Sequence, residues 1–204
     1  MANAEDFAAC ARADFRFGRQ FIGASAYYGN TTGNRPKPDL KVKAPVMLVE
    51  GHASLRFGRI FFNALAVYGH LKNSEAVTNA NRNLSNNLNV KRTPVGSAAL
   101  AGFAEIGGEF LRHQSLAQPT EQSSVVAYVR ADYYDTMRET EGLVFNNPRW
   151  ERKAITGGLV YQLLHDVHIK LQYSLRKVGA AAPTSINGGR LEKTFVAGLA
   201  WDFH

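Results

Sequence analysis

From Val167 the chain alternates without a break: Val167, Ile169, Leu171, Tyr173 and Leu175 fall on one side, His168, Lys170, Gln172, Ser174 and Arg176 on the other. A period of two over that length is a β-strand, because successive side chains of a strand point to opposite faces. One face is as apolar as lipid and the other is wet and basic, so the two sides meet different solvents. The final stretch repeats the pattern, with Phe195, Ala197, Leu199, Trp201 and Phe203 opposite Thr194, Val196, Gly198, Ala200 and Asp202. The pattern predicts an all-β fold, an antiparallel transmembrane β-barrel.

The composition of the 204 residues, 45% hydrophobic and 20% charged, is that of an ordinary folded chain, read as one domain over residues 1–204. No run approaches the roughly 18 apolar residues of a membrane helix. The mean hydropathy of -0.24 is that of a soluble protein, but alternation averages a barrel's hydrophobicity away. Cys10 is the single cysteine, so no internal disulfide forms, and it reads as a small packing residue. The first residues, Met1-Ala2-Asn3-Ala4-Glu5-Asp6, lack the basic and apolar regions of a secretory signal. An exported protein with this start is expected to have lost its signal or to be represented here by a piece.

Reading alternation between turn signals gives nine strands, near 5–17, 19–29, 44–57, 59–69, 96–111, 122–135, 150–163, 166–178 and 190–203, and no helix of comparable quality. The connectors Phe17-Gly18-Arg19, Phe57-Gly58-Arg59 and His165-Asp166 are tight. Residues 30–43, 70–95, 136–149 and 179–189 form long polar connectors, and 112–121 is intermediate. Short turns at one end and long loops at the other are the organisation of outer-membrane barrels. Aromatic residues cluster at strand ends (Tyr27-Tyr28, Phe61-Phe62, Tyr68, Tyr133-Tyr134, Trp150, Trp201 and Phe203), as in the girdles at bilayer interfaces. The competing reading, a soluble sandwich, is disfavoured by a polar face holding Arg, Tyr, Ser and Gly in the manner of a lumen.

The net charge of +7 and a pI near 9.6 call for an anionic partner. Lys and Arg recur on the polar face of strand after strand instead of forming one patch, which fits a basic lumen and excludes nucleic acid as the expected partner. An intact bacterial barrel has an even strand count. Either residues 19–203 form a complete eight-stranded barrel, or the nine strands belong to a larger barrel of about 16 strands. The alternation of 5–17 and the breadth of the charged interior favour the second.

The stretches Gly23-Ala24-Ser25-Ala26-Tyr27-Tyr28-Gly29-Asn30, Ala64-Leu65-Ala66-Val67-Tyr68-Gly69, Val129-Arg130-Ala131-Asp132-Tyr133-Tyr134-Asp135-Thr136 and Thr156-Gly157-Gly158-Leu159-Val160-Tyr161 resemble the C-terminal half of Gram-negative porins similar to the phosphate-selective porin O/P group. The resemblance implies a wide outer-membrane barrel, trimeric, passing small anions through a basic constriction. Trp201 and Phe203 are similar to the aromatic-ended terminal strand of such barrels, although His204 follows. The arginine ladder and lysine cluster of the phosphate-specific members have no residue-by-residue counterpart here, so phosphate selectivity is not implied.

No catalytic constellation stands out, and neither an enzyme activity nor a cofactor is expected. His165 and His168 do not share a face as they would on a helix. The glycine pairs at 107–108, 157–158 and 188–189 lack the strand-to-helix setting of a phosphate loop. Glu105 and Glu109 lie about 13 Å apart along one strand face, and a hydrolase would have to rely on Ser54 beside His52. The expected function is a passive outer-membrane channel for small hydrophilic solutes that favours anions. Its pore-lining residues are Arg12, Arg16, Arg56, Arg130, Arg152, Lys170 and Arg176, with Glu50, Glu105, Glu109 and Asp132 pairing with some of them. The alternative is a small closed barrel with a structural or surface-recognition role, its Asn-rich segment Asn79 to Asn87 binding a partner. A soluble polyanion-binding β-protein is the third reading.

Overall fold

The computed structural model describes residues 7–31, 42–82, 94–114, 122–164, 167–179 and 190–201. Nine strands run in chain order: β1 Ala8–Phe17, β2 Gln20–Asn30, β3 Pro45–Phe57, β4 Ile60–Leu71, β5 Ala98–Gln114, β6 Gln122–Glu139, β7 Glu151–Leu164, β8 Val167–Val178 and β9 Leu191–Trp201. Each pairs antiparallel with the next in a single sheet of order β1 to β9, so β1 and β9 are its edges and the sheet is open.

The strands expected from alternation are all present, and β5 and β6 run furthest past the ends the pattern indicated, to Gln114 and Glu139. The predicted end of β5 near 111 falls at a bulge, where Glu109 pairs with Val126 and Leu111 with Val125. Phe110 is the extra residue, the phase of alternation slips there, and pairing then resumes to Gln114. A second register shift, between Ala98 and Leu100, accompanies the extension of β6 to Glu139. The tight connectors before β2 and β4 are two-residue loops that turn on Gly18 and Gly58, with φ of 60° and 59°. A glycine is what the first position of such a hairpin loop requires. The loops at the other end are long, and the predicted turn His165-Asp166 lies outside the described residues.

The expectation of no helix of comparable quality is corrected in two connectors: Pro148–Trp150 forms a single 3-10 turn before β7, and Ser74–Arg82 forms α1 between β4 and β5. Tertiary contacts hold α1. The Thr78 hydroxyl accepts from the Val95 N–H at 3.0 Å, Ser74 donates to Glu141 at 3.3 Å, and Glu75 accepts from the Leu143 N–H at 3.0 Å. An isolated helix this short is marginal in water, which is why propensity alone did not reveal it. Among the described residues the buried apolar side chains are few. Ala44, Val77, Ala98, Met137 and Val144 lie at this long-loop end, and Tyr128 lies on the polar face.

Register sorts the remaining side chains onto two faces. Row by row, Ala13, Ala24, Gly51, Ala66, Gly102 and Tyr133 fall on one side, while Arg12, Ser25, Glu50, Val67, Ala101, Tyr134 and Arg152 fall on the other. The first face is solvent-exposed, with Phe15 at 65%, Ile106 at 56%, Ile155 at 61% and Phe195 at 67%. A water-soluble sheet buries its apolar face against a second layer. No second layer covers this one among the described residues.

Candidate functional site

The polar face carries the chemistry. Pairing register places Arg12, Arg16, Arg56, Arg130, Arg152, Lys170 and Arg176 on this one face, as alternation predicted. It also places there Asp14, Glu50, His52, Asn63, Glu105, Glu109, Arg112, Asp132 and Glu192. Positive charge is therefore in only small surplus on this face.

Two networks organise it. In the first, Glu50 on β3 accepts from the Ser25 hydroxyl at 2.8 Å and bonds His52 Nδ1 at 2.6 Å. The other ring nitrogen of His52 lies 3.3 Å from Asp14, whose second oxygen accepts from Arg12 Nε at 2.8 Å. Both carboxylates converge on one imidazole, and Gly23 makes room for them, since a Cβ there would lie 2.2 Å from Asp14 and 2.5 Å from His52. In the second, Ser54 donates to Asn63 at 2.8 Å and Asn63 to Glu105 at 3.1 Å. Glu105 is registered opposite Arg130, which stacks 3.9 Å over the Phe103 ring and bonds Asp132 at 2.7 Å. The row ends with Thr156 donating to Ser174 at 2.9 Å. Side chains of both networks, from Arg12 on β1 to Arg130 on β6, line one hollow of about 510 Å³.

Three of the seven predicted cations are ion-paired: Arg12 to Asp14, Arg130 to Asp132, and Arg176 to Glu192 at 2.8 Å from Nε. Among the described residues the other four make no ion pair. Arg16 lies 5.5 Å over the Phe21 ring, Lys170 lies 5.2 Å over Tyr128, and Arg152 donates to the Arg149 and Glu151 carbonyls. The Arg56 backbone is gripped by the Gln20 side chain. Of the carboxylates named as partners, only Asp132 pairs with a predicted cation. Glu109 is held instead by Arg112, at 2.7 and 2.9 Å. Of the partners that alternation did not name, Glu192 on β9 meets Arg176 through cross-strand register, Arg112 is returned to the face of Glu109 by the bulge at Phe110, and Asp14 stands two residues from Arg12 on β1, so that pair was legible within one strand.

The serine-histidine pair of a hydrolase is not assembled: Ser54 donates to Asn63, while His52 is engaged by Glu50 and Asp14. His165 lies outside the described residues. Among the described residues no three metal-ligating side chains gather. No protein-family model, curated protein or solved structure matches this chain. The resemblance to porins therefore rests on strand patterns alone.

Proposed function

We propose that this chain is part of a bacterial outer-membrane β-barrel, a passive channel for small hydrophilic solutes that favours anions. The observation that carries the reading is the outward band. From Val167 to Leu175 on β8, Ile60 to Tyr68 on β4 and Val125 to Tyr133 on β6, that face is uncharged and exposed or half-buried, with no residue fully buried, and the band crosses all nine strands. Its charges stand at the long-loop rim: Asp135, Glu151, Lys153, Lys177 and Lys193. Each stretch is about 26 Å long along the strand, or about 20 Å tall at a tilt of about 40°, and the bordering aromatic residues carry it towards the roughly 25 Å of an outer-membrane barrel's apolar band. Tyr28, Tyr68 and Tyr133 border it at the loop end. Phe17, Phe57, Tyr161 and Trp201 border it at the turn end.

Closure supports a barrel wider than this sheet. With nine antiparallel strands in order, β1 and β9 run the same way, so joining them directly makes a parallel seam. An odd number of further strands restores an even, fully antiparallel barrel, and seven give about 16. In that barrel the polar face bounds a water-filled lumen, and the trimer implied by the porin resemblance packs outward faces together. Arg16, Arg56, Arg152 and Lys170, which make no direct ion pair among the described residues, raise the local anion concentration without tight binding. Planar-bilayer recordings of the full-length protein test this. Replacing Arg16, Arg56 and Arg152 with glutamate is expected to move the reversal potential from anion to cation preference, and an unmoved potential overturns the proposal.

The second reading, a barrel with a structural or surface-recognition role, is favoured by the extent of pairing on the inner face, which reads as a lattice stiffening the wall. Zero conductance from the native full-length protein supports it. Of its Asn-rich segment, Asn79 and Asn81 lie in α1, while Asn83, Asn86 and Asn87 lie outside the described residues.

A further inference from the structure

Arg16-Phe17-Gly18-Arg19 recurs letter for letter as Arg56-Phe57-Gly58-Arg59. The two copies close neighbouring hairpins, β1 with β2 and β3 with β4, and both turn on a left-handed glycine. Gln20 ties them together. Its Nε2 donates to the Arg56 carbonyl at 2.9 Å and its Oε1 accepts from the Arg56 N–H at 2.8 Å. The carboxamide thus stands in for a strand residue and carries the ladder one rung beyond the Phe21–Ser54 pair. From strand spacing and rise the turns are about 10 Å apart sideways and about 7 Å apart along the strands.

The ring and the cations of each copy face different surroundings. Phe17 and Phe57 lie on the apolar face, 56% and 61% exposed. Arg19 and Arg59 are exposed turn residues immediately past that band. Among the described residues none of the four arginines makes an ion pair. Glu109 comes close, its N–H donating to the Arg59 carbonyl at 2.9 Å, but Arg112 grips its carboxylate with two bonds.

A ring at the edge of the apolar band followed by a guanidinium just outside it is an interfacial anchor, the ring at headgroup level and the cation among phosphates. Building on the membrane reading, we propose that the paired Arg-Phe-Gly-Arg turns bind the headgroups of anionic phospholipids in the leaflet at the short-turn end. Arg19 and Arg59 contact the phosphates, for which the guanidinium fork is shaped. Arg16 and Arg56 add positive potential from the lumen side, and the Gln20 clasp keeps the two turns at fixed spacing.

The test uses the full-length protein in non-ionic detergent, titrated with phosphatidylglycerol or phosphatidylcholine, with bound lipid read by native mass spectrometry. The native protein is expected to retain phosphatidylglycerol preferentially. R19Q/R59Q is expected to lose that binding by about 10- to 30-fold, while R19K/R59K keeps most of it. Thermal unfolding of R19Q/R59Q serves as the folding control, and if it fails, the single variants R19Q and R59Q are each expected to lose about 3- to 5-fold. Equal retention of the two lipids, or binding unchanged in the variants, overturns the proposal. So does displacement of the lipid by millimolar inorganic phosphate, which marks a free-anion site instead. Extraction of the protein without detergent sinks the membrane reading itself, a result distinct from a membrane protein indifferent to its lipid.

Discussion

The outward and inward faces of the same nine strands are held in opposite ways. Outward side chains mostly meet their cross-strand neighbours and whatever surrounds the sheet, and among the described residues the one outward bond that skips a strand, Tyr161 on β7 to His113 on β5 at 3.4 Å, lies at the short-turn end below the band. Inward ones are linked by hydrogen bonds that skip across strands, as when Tyr128 on β6 donates to Gln172 on β8 at 3.2 Å. Substitutions outside are therefore felt through the surroundings, and substitutions inside are felt by residues two strands away. Gly157 and Gly158 bring the contrast to adjacent positions. Nothing lies within 4 Å of a Cβ built on outward Gly157, whereas one on inward Gly158 would sit 2.3 Å from the Tyr128 ring.

The largest expected effect breaks the outward face. Leu171→Arg puts a charge at mid-band and is expected to destabilise the protein in a bilayer by about 2–4 kcal/mol; reversible unfolding in vesicles measures it, and a value near zero removes the lipid-facing assignment. Next, Gly158→Ala is expected to cost about 1–3 kcal/mol by displacing Tyr128, while Gly157→Ala is neutral or stabilises by up to about 1 kcal/mol. Equal effects at the two positions would erase the distinction between the faces. The smallest effect is purely electrostatic. Deleting the pair with Arg130→Ala/Asp132→Ala leaves net charge unchanged and is expected to leave the reversal potential where it was, whereas Arg56→Ala shifts it towards cations. A shift from the paired deletion as large as that from Arg56→Ala would show that pairing does not govern selectivity.

Alternation made the faces legible because each strand's pattern is local: Val167 to Arg176 can be sorted without knowing its neighbours. Register was not legible, and the bonding at the site depends on it. The Asp14–His52 contact arises from β1, β2 and β3 lying in one alignment, which no single-strand pattern contains, whereas the His52–Glu50 bond is local to β3. The bulge at Phe110 hid the end of β5 by shifting its phase, and α1 was hidden because its support comes from Val95, Glu141 and Leu143, distant in sequence. The repeated Arg-Phe-Gly-Arg was visible as letters. The Gln20 clasp that pairs its two copies belongs to the fold.

The open edges constrain how such a sheet could enter a bilayer. Along β1 and β9 every second residue turns its N–H and C=O away from the ladder. Hydrocarbon offers those groups no partner, and each one left bare there costs several kcal/mol. Strand-by-strand insertion would carry such an edge through the membrane at every step. For a barrel built on this sheet, closing the circle and crossing the bilayer are therefore a single kinetic event, and the edge strands need protein or water beside them until it is complete.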